Sequence, residues 1–149
     1  MTSYLVDTNV ISAGSPGRAS AQASPLVAWM VRHTNSLFLS VVTIAEIEDG
    51  IAKARRSGAD RKAGGLADWL ETVLHLYASR ILVLDIATAR LVGALSDRAR
   101  GQGHAPGFPD LVIAATAQLH GLTILTRNLR HFAPLEVAVH DPFASVPMS

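Results

Sequence analysis

Four short apolar runs, Tyr4-Leu5-Val6, Leu37–Val41, Ile81–Leu84 and Leu122–Thr126, alternate with stretches of helical periodicity. Continuous apolar runs of this length suit strands buried on both faces. The helical stretches between them supply the crossovers that parallel strands need, and tight hairpin signals such as Asn-Gly are absent. The pattern predicts an α/β fold with a central, mainly parallel sheet flanked by helices. With 149 residues, no internal repeat and no long linker, a single domain spanning 1–149 is expected.

The helices are expected as follows. Gly14 to Ser24 reads as a loop, and Ser24-Pro25 as a helix start that turns Leu26, Met30 and Val31 inward with Trp29 beside them. Thr43 to Arg56 reads as a helix striped by Ile44, Ile47, Ile51 and Ala54 and closed by Gly58. Residues 59–65 read as a polar connection, with a further helix from Leu66 to Tyr77. Asp85 is placed as the N-cap of a helix that turns Leu91, Ala94 and Leu95 inward and ends near Gly101. After a Gly/Pro loop to Pro109, a helix from Asp110 to Leu119 is stopped by Gly121, and Val137–Val139 is a short fifth strand.

Hydrophobic residues make up 49% and charged ones 17%, which argues against intrinsic disorder. The absence of cysteine excludes disulfides, thiolate metal sites and a cysteine nucleophile, so any metal here takes oxygen or imidazole ligands. No basic region precedes an apolar stretch at the N-terminus, and no apolar run approaches a membrane span. The expectation is therefore a soluble, cytoplasmic protein without a membrane partner. Lys53, Arg55, Arg56, Arg61 and Lys62 form one basic cluster and Arg127 and Arg130 another; on charge alone both read as solvated surface.

Three acids recur at one kind of place. Asp7 follows the first strand, Glu46 lies in the first turn of the helix after the second, and Asp110 opens the helix before the fourth. A parallel sheet gathers strand ends and helix starts along one edge, where ligands bind. Carboxylates converging there repel one another unless a cation shares them, and hard divalent cations take such oxygen ligands. Metal-assisted phosphodiester hydrolysis is the chemistry this favours. Each acid also has a plain reading. Asp7 can start a turn, Thr43-Ile44-Ala45-Glu46 matches a capping box, and Asp110 after Pro109 is an ordinary cap.

Taken as a set, Leu5–Ser12, Leu39–Glu48 with Gly50-Ile51, Asp110–Ala117 and His120–Asn128 resemble the PIN-domain ribonucleases, specifically the VapC/FitB-type toxins of type II toxin–antitoxin systems. Order and spacing match over nearly the whole chain. The resemblance implies a PIN-like three-layer α/β/α sandwich that cleaves RNA with Mg²⁺, or Mn²⁺ in its place. It carries the acidic residues over to Asp7, Glu46 and Asp110, with Asp7 and Asp110 holding metal directly and Glu46 acting through it or orienting water. Thr8, Asn9, Thr126 and Asn128 form the expected polar surround for ligands and substrate. It further implies a homodimer, a cognate VapB/FitA-type antitoxin and possibly a larger assembly of the two.

The chain departs from the family where a further Asp commonly follows the last strand. Asn128 and His131 stand there, which motivates the expectation of a weaker second metal site. A catalytically weak PIN-fold protein that mainly holds its antitoxin is the alternative reading. A phosphoacceptor switch lacks its paired acids and lysine, and a haloacid-dehalogenase-type phosphatase lacks its second Asp, since Asn9 stands there.

Overall fold

The computed structural model describes residues 2–17 and 23–148, the side chains of Ala23 and Ser24 excepted. Five strands, β1 (Tyr4–Val6), β2 (Leu37–Ser40), β3 (Ile81–Leu82), β4 (Thr123–Leu125) and β5 (Val139–His140), form one sheet in the order β3-β2-β1-β4-β5. Every pairing is parallel. The chain builds outward from β1 to β3 on one side, then returns to add β4 and β5 on the other. The switch point of the topology thus lies between β1 and β4, where α/β proteins place their ligands.

Seven helices are present among the described residues: α1 (Thr8–Ile11), α2 (Ala23–Arg32), α3 (Val41–Arg56), α4 (Asp60–Leu76), α5 (Ile86–Gly101), α6 (Phe108–His120) and α7 (Leu129–Phe132). They cover both sheet faces, giving three layers. Tyr4, Val6, Leu37, Leu39 and Leu125 join one core with Leu26, Trp29, Ile47, Ile51, Leu70 and Val73 from α2, α3 and α4. Leu5 and Ile124 point the other way, into a second core with Val92, Leu95, Val112, Ile113 and Phe132. Alternation along each strand therefore feeds two cores, which is why the strands read as continuous apolar runs.

Several local expectations are corrected. Helix α2 begins at Ala23, so Ser24-Pro25 is not its start, and the expected loop falls partly on residues 18–22, outside those described. Val31 is 71% exposed, because Leu26, Trp29 and Met30 already define the buried stripe and Val31 lies round the helix from it. Helix α3 starts at Val41, capped by the Ser40 hydroxyl, which accepts from the Val42 N–H at 3.1 Å. Thr43 and Glu46 consequently form no capping box, and Glu46 sits in the second turn.

Helix α4 absorbs most of the stretch expected as a connection, since Ala63 extends the buried stripe of Leu70 and Val73 by two turns. That packing outweighs Gly64 and Gly65, each a cost of about 1 kcal/mol in a helix interior. Strand β3 stops at Leu82, leaving Val83 and Leu84 exposed, and β5 is shifted by two residues to Val139–His140. On α5 Val92, Leu95 and Ala99 are buried, Leu91 packs half-buried against the same core as expected, and Ala94 lies outside. Helix α6 starts at Phe108 and ends, as expected, at Gly121, whose φ of +66° is the left-handed cap conformation glycine adopts freely.

Candidate active site

The end of β1 is tied to the end of β4. The Asp7 N–H donates to the Leu125 carbonyl at 3.0 Å, which carries the ladder past the last paired residues. Asp7 then turns the chain into α1 with extended backbone, and its Oδ1 accepts the Thr8 N–H at 2.8 Å, which makes it the N-cap of that helix. Its other oxygen does something the cap does not require. Oδ2 accepts from the Thr126 hydroxyl at 2.8 Å and from the Asn9 side-chain amide at 3.2 Å. The brace is itself fixed: Asn9 Oδ1 accepts the Arg127 N–H at 3.0 Å, and Thr126 Oγ1 accepts the Asn128 N–H at 3.0 Å.

Asp7 is 5% exposed. Burial pushes its carboxyl pKa up from 3.8, opposed by the bonds from Thr126 and Thr8 and reinforced by the negative charges of Asp110 and Glu46. Those two acids come from opposite helical layers. Glu46, on α3, accepts a 2.6 Å hydrogen bond from the Thr8 hydroxyl, which also lies 3.2 Å from the hydroxyl of the buried Thr43. Asp110, third residue of α6, caps nothing; the N-cap is Gly107, and Asp110 Oδ2 instead lies 3.1 Å from Nδ1 of His131 on α7. Asp7, Thr8, Asn9, Glu46, Asp110 and Asn128 line one open depression of about 430 Å³, together with Ser12, Pro109 and His131. Thr126 lies fully buried beneath it, against Asp7.

The sequence-predicted residues are thus brought together. Two contributors were not foreseen. Ser12 enters the lining because it follows Thr8 by one helical turn, a spacing visible in the chain. Thr43, assigned to capping, is buried with its hydroxyl 3.2 Å from that of Thr8.

No lysine or arginine lines this depression. The set is all oxygen apart from His131, and its negative charge is unbalanced by protein cations, which is the donor chemistry of a hard divalent ion. Among the described residues no three acids or imidazoles close into a ready-made metal shell by themselves. A cation here would thus complete its coordination with water, as Mg²⁺ usually does.

A model of the PIN domain matches residues 4–135. The chain belongs to the PIN domain family. It is 35% identical over 141 residues to Toxin FitB of Neisseria gonorrhoeae, covering 93% of this chain and 97% of that protein. It is 31% identical over 148 residues to the VapC ribonuclease Y4jK of Sinorhizobium fredii, with 93% and 96% covered. The structure superposes on that of FitAcB from Neisseria gonorrhoeae with a TM-score of 0.81 at 33% identity, covering 94% and 98% of the two chains. The PIN match spans β1 through α7, so it includes every strand end and helix start that borders the depression. No helix of the described residues is long and apolar enough to cross a membrane.

Proposed function

We propose that this PIN-domain protein is a metal-dependent endoribonuclease, the toxin of a toxin–antitoxin pair, that hydrolyses RNA phosphodiester bonds at the Asp7–Glu46–Asp110 depression. The observation that carries the reading is Asp7 itself. A buried carboxylate is raised in energy by desolvation and by two neighbouring acids, yet three donors hold it in place. A buried carboxylate fixed by three donors and facing two further acids in one depression has the donor chemistry that a hard divalent cation takes.

In this reading Asp7 and Asp110 hold Mg²⁺ or Mn²⁺, and a bound cation supplies an activated water and a stabilised leaving oxygen. The rest is the work of the chain. Thr126 and Asn9 fix Asp7 Oδ2 so that its orientation is set before any ligand arrives, and Thr8 does the same for Glu46 Oε1. Glu46 Oε2 has no protein partner among the described residues and is free to orient a water and take up its proton. Asn128, on the rim, offers an amide to substrate or water.

His131 in place of a further acid puts an imidazole against Asp110. The second metal position is accordingly weak, and His131→Asp or Asn128→Asp should lower the Mn²⁺ concentration needed for half-maximal cleavage by about ten-fold. Unchanged metal dependence in both variants sinks this part. The relative named Toxin FitB and the FitAcB structure support a VapB/FitA-type antitoxin as partner; a homodimer and a cytoplasmic site of action are part of the same proposal. The binding-only alternative gains no support, because all three acids and their braces are in place. Cleavage of total RNA by purified, antitoxin-free protein decides the matter: discrete fragments with Mg²⁺ or Mn²⁺, none with EDTA and none from Asp7→Ala. A folded protein that leaves all RNA intact under each condition would reverse the reading.

A further inference from the structure

Beside the acidic depression lies a second one of about 410 Å³, between α3 and α4, and the two share Thr8, Ser12 and Glu46 in their walls. The two adjoin at these side chains as chemically distinct halves of the surface around Glu46. The first half is anionic. The second contains both lysines of the chain, Lys53 on α3 and Lys62 on α4; no arginine lines it, although the chain has eleven. Both lysines are exposed, and neither forms an ion pair with any described residue. Between them the floor is apolar, with Ile47, Leu66 and the half-buried Trp69.

We propose that this second half is the binding track for RNA on one side of the scissile bond. Lys53 and Lys62 hold the neighbouring backbone phosphates, and the Trp69 floor receives a base or ribose. The inference rests on the nuclease reading and deepens it. A phosphate over the acids needs a cation supplied from solution, whereas flanking phosphates need cations supplied by the protein, and the surface changes from one regime to the other across Glu46. Lysine suits the task as a flexible point charge for phosphate. An aromatic floor beside a cationic wall is the usual construction for single strands. An acidic peptide suits the lysines too, but it brings no base or ribose for the apolar floor of Ile47, Leu66 and Trp69.

The test uses the full chain carrying Asp110→Asn, which blocks cleavage without touching this half of the surface. Its affinity for a short fluorescein-labelled single-stranded RNA is followed by anisotropy, with Mg²⁺, as KCl rises. Two lost phosphate contacts should lower the slope of log affinity against log salt by about 1.4 on adding Lys53→Gln and Lys62→Gln. From about 50 to about 200 mM KCl the parent then loses about seven-fold more affinity than this variant. Lys53→Arg with Lys62→Arg retains the parent slope, as does Arg90→Gln with Arg98→Gln on α5; circular dichroism verifies folding. An unchanged slope in the folded glutamine variant overturns the track while leaving the nuclease reading standing. Absence of RNA binding by the parent overturns both. Unchanged RNA binding with lost capture of a poly-glutamate peptide overturns the track and assigns the lysines to an acidic protein partner.

Discussion

Asp7 and Asp85 begin as the same device. Each follows a sheet strand, each has extended backbone, and each caps a helix with its own carboxylate. At Asp85 both acceptor contacts are local: Oδ1 takes the Thr88 N–H at 2.9 Å and the Thr88 hydroxyl at 2.7 Å. Those bonds hold its pKa below 3.8, with the backbone N–H the larger influence. At Asp7 one oxygen caps and the other is held by Thr126, from across the sheet, in a buried setting that pushes the pKa up. Asp85 lowers its energy by capping alone; Asp7 is raised in energy by burial and by the charges of Asp110 and Glu46, and the bonds from Thr126 and Thr8 offset part of that. The difference comes from sheet order. Asp85 follows the edge strand β3, whereas Asp7 follows the central β1, beside β4 at the switch point.

The comparison can be broken by experiment. The largest contrast is expected from alanine at each site: Asp7→Ala should cut RNA cleavage by about 10³-fold or more, while Asp85→Ala leaves the rate unchanged and lowers only Tm. Equal rates in the two variants would erase the distinction. Next, Mg²⁺ at a hundred times its Kd should stabilise the parent by about 2.7 kcal/mol. EDTA should reverse this, and Asp7→Ala should show none of it in thermal melts. Thr126→Val, which removes the hydroxyl brace at near-constant shape, should cost about 10–100-fold in cleavage or metal affinity. A rate within two-fold of the parent, read under the same metal titration, would make the brace incidental.

The smallest effect concerns pH without metal. Below the ordinary carboxyl value of 3.8 Asp7 is protonated whether the chain is folded or not, so its burial carries no charge penalty. As pH rises from 3.8 through the raised folded value, the unfolded chain gives up the proton first, and the fold loses stability that it does not regain at neutrality. Asp7→Asn has no such charge, so its Tm should gain on the parent's as pH climbs through that window. A gap moving the opposite way would mean that the hydrogen bonds to Asp7 outweigh its desolvation.

Much of this was legible in the chain. Strands buried on both faces cannot avoid apolar runs, so β1, β2 and β4 were found within a residue or two. The acids stood out because strand ends and helix starts were recognisable. Boundaries were less legible where packing competes with propensity. Gly64 and Gly65 disfavour a helix locally, yet Ala63 fills the core and carries α4 through them, and Ser40 takes the cap that the Thr43-Ile44-Ala45-Glu46 pattern matches. Local pattern could not separate Glu46 as a cap from Glu46 as a site residue, because both uses want an acid near a helix start.

What the sequence determined by itself was the α/β layering, the absence of thiol chemistry and the identity of the acids, since period, composition and spacing are properties of the chain. The tertiary structure decided which aspartate is buried beside two other acids, and it braced that one by setting Thr126 against Asp7 across 119 residues of chain. It also decided that His131 faces Asp110 and that the two lysines share one groove with Glu46. Hydrogen bonds and electric fields act over a few ångströms of space, and only the folded chain sets those distances.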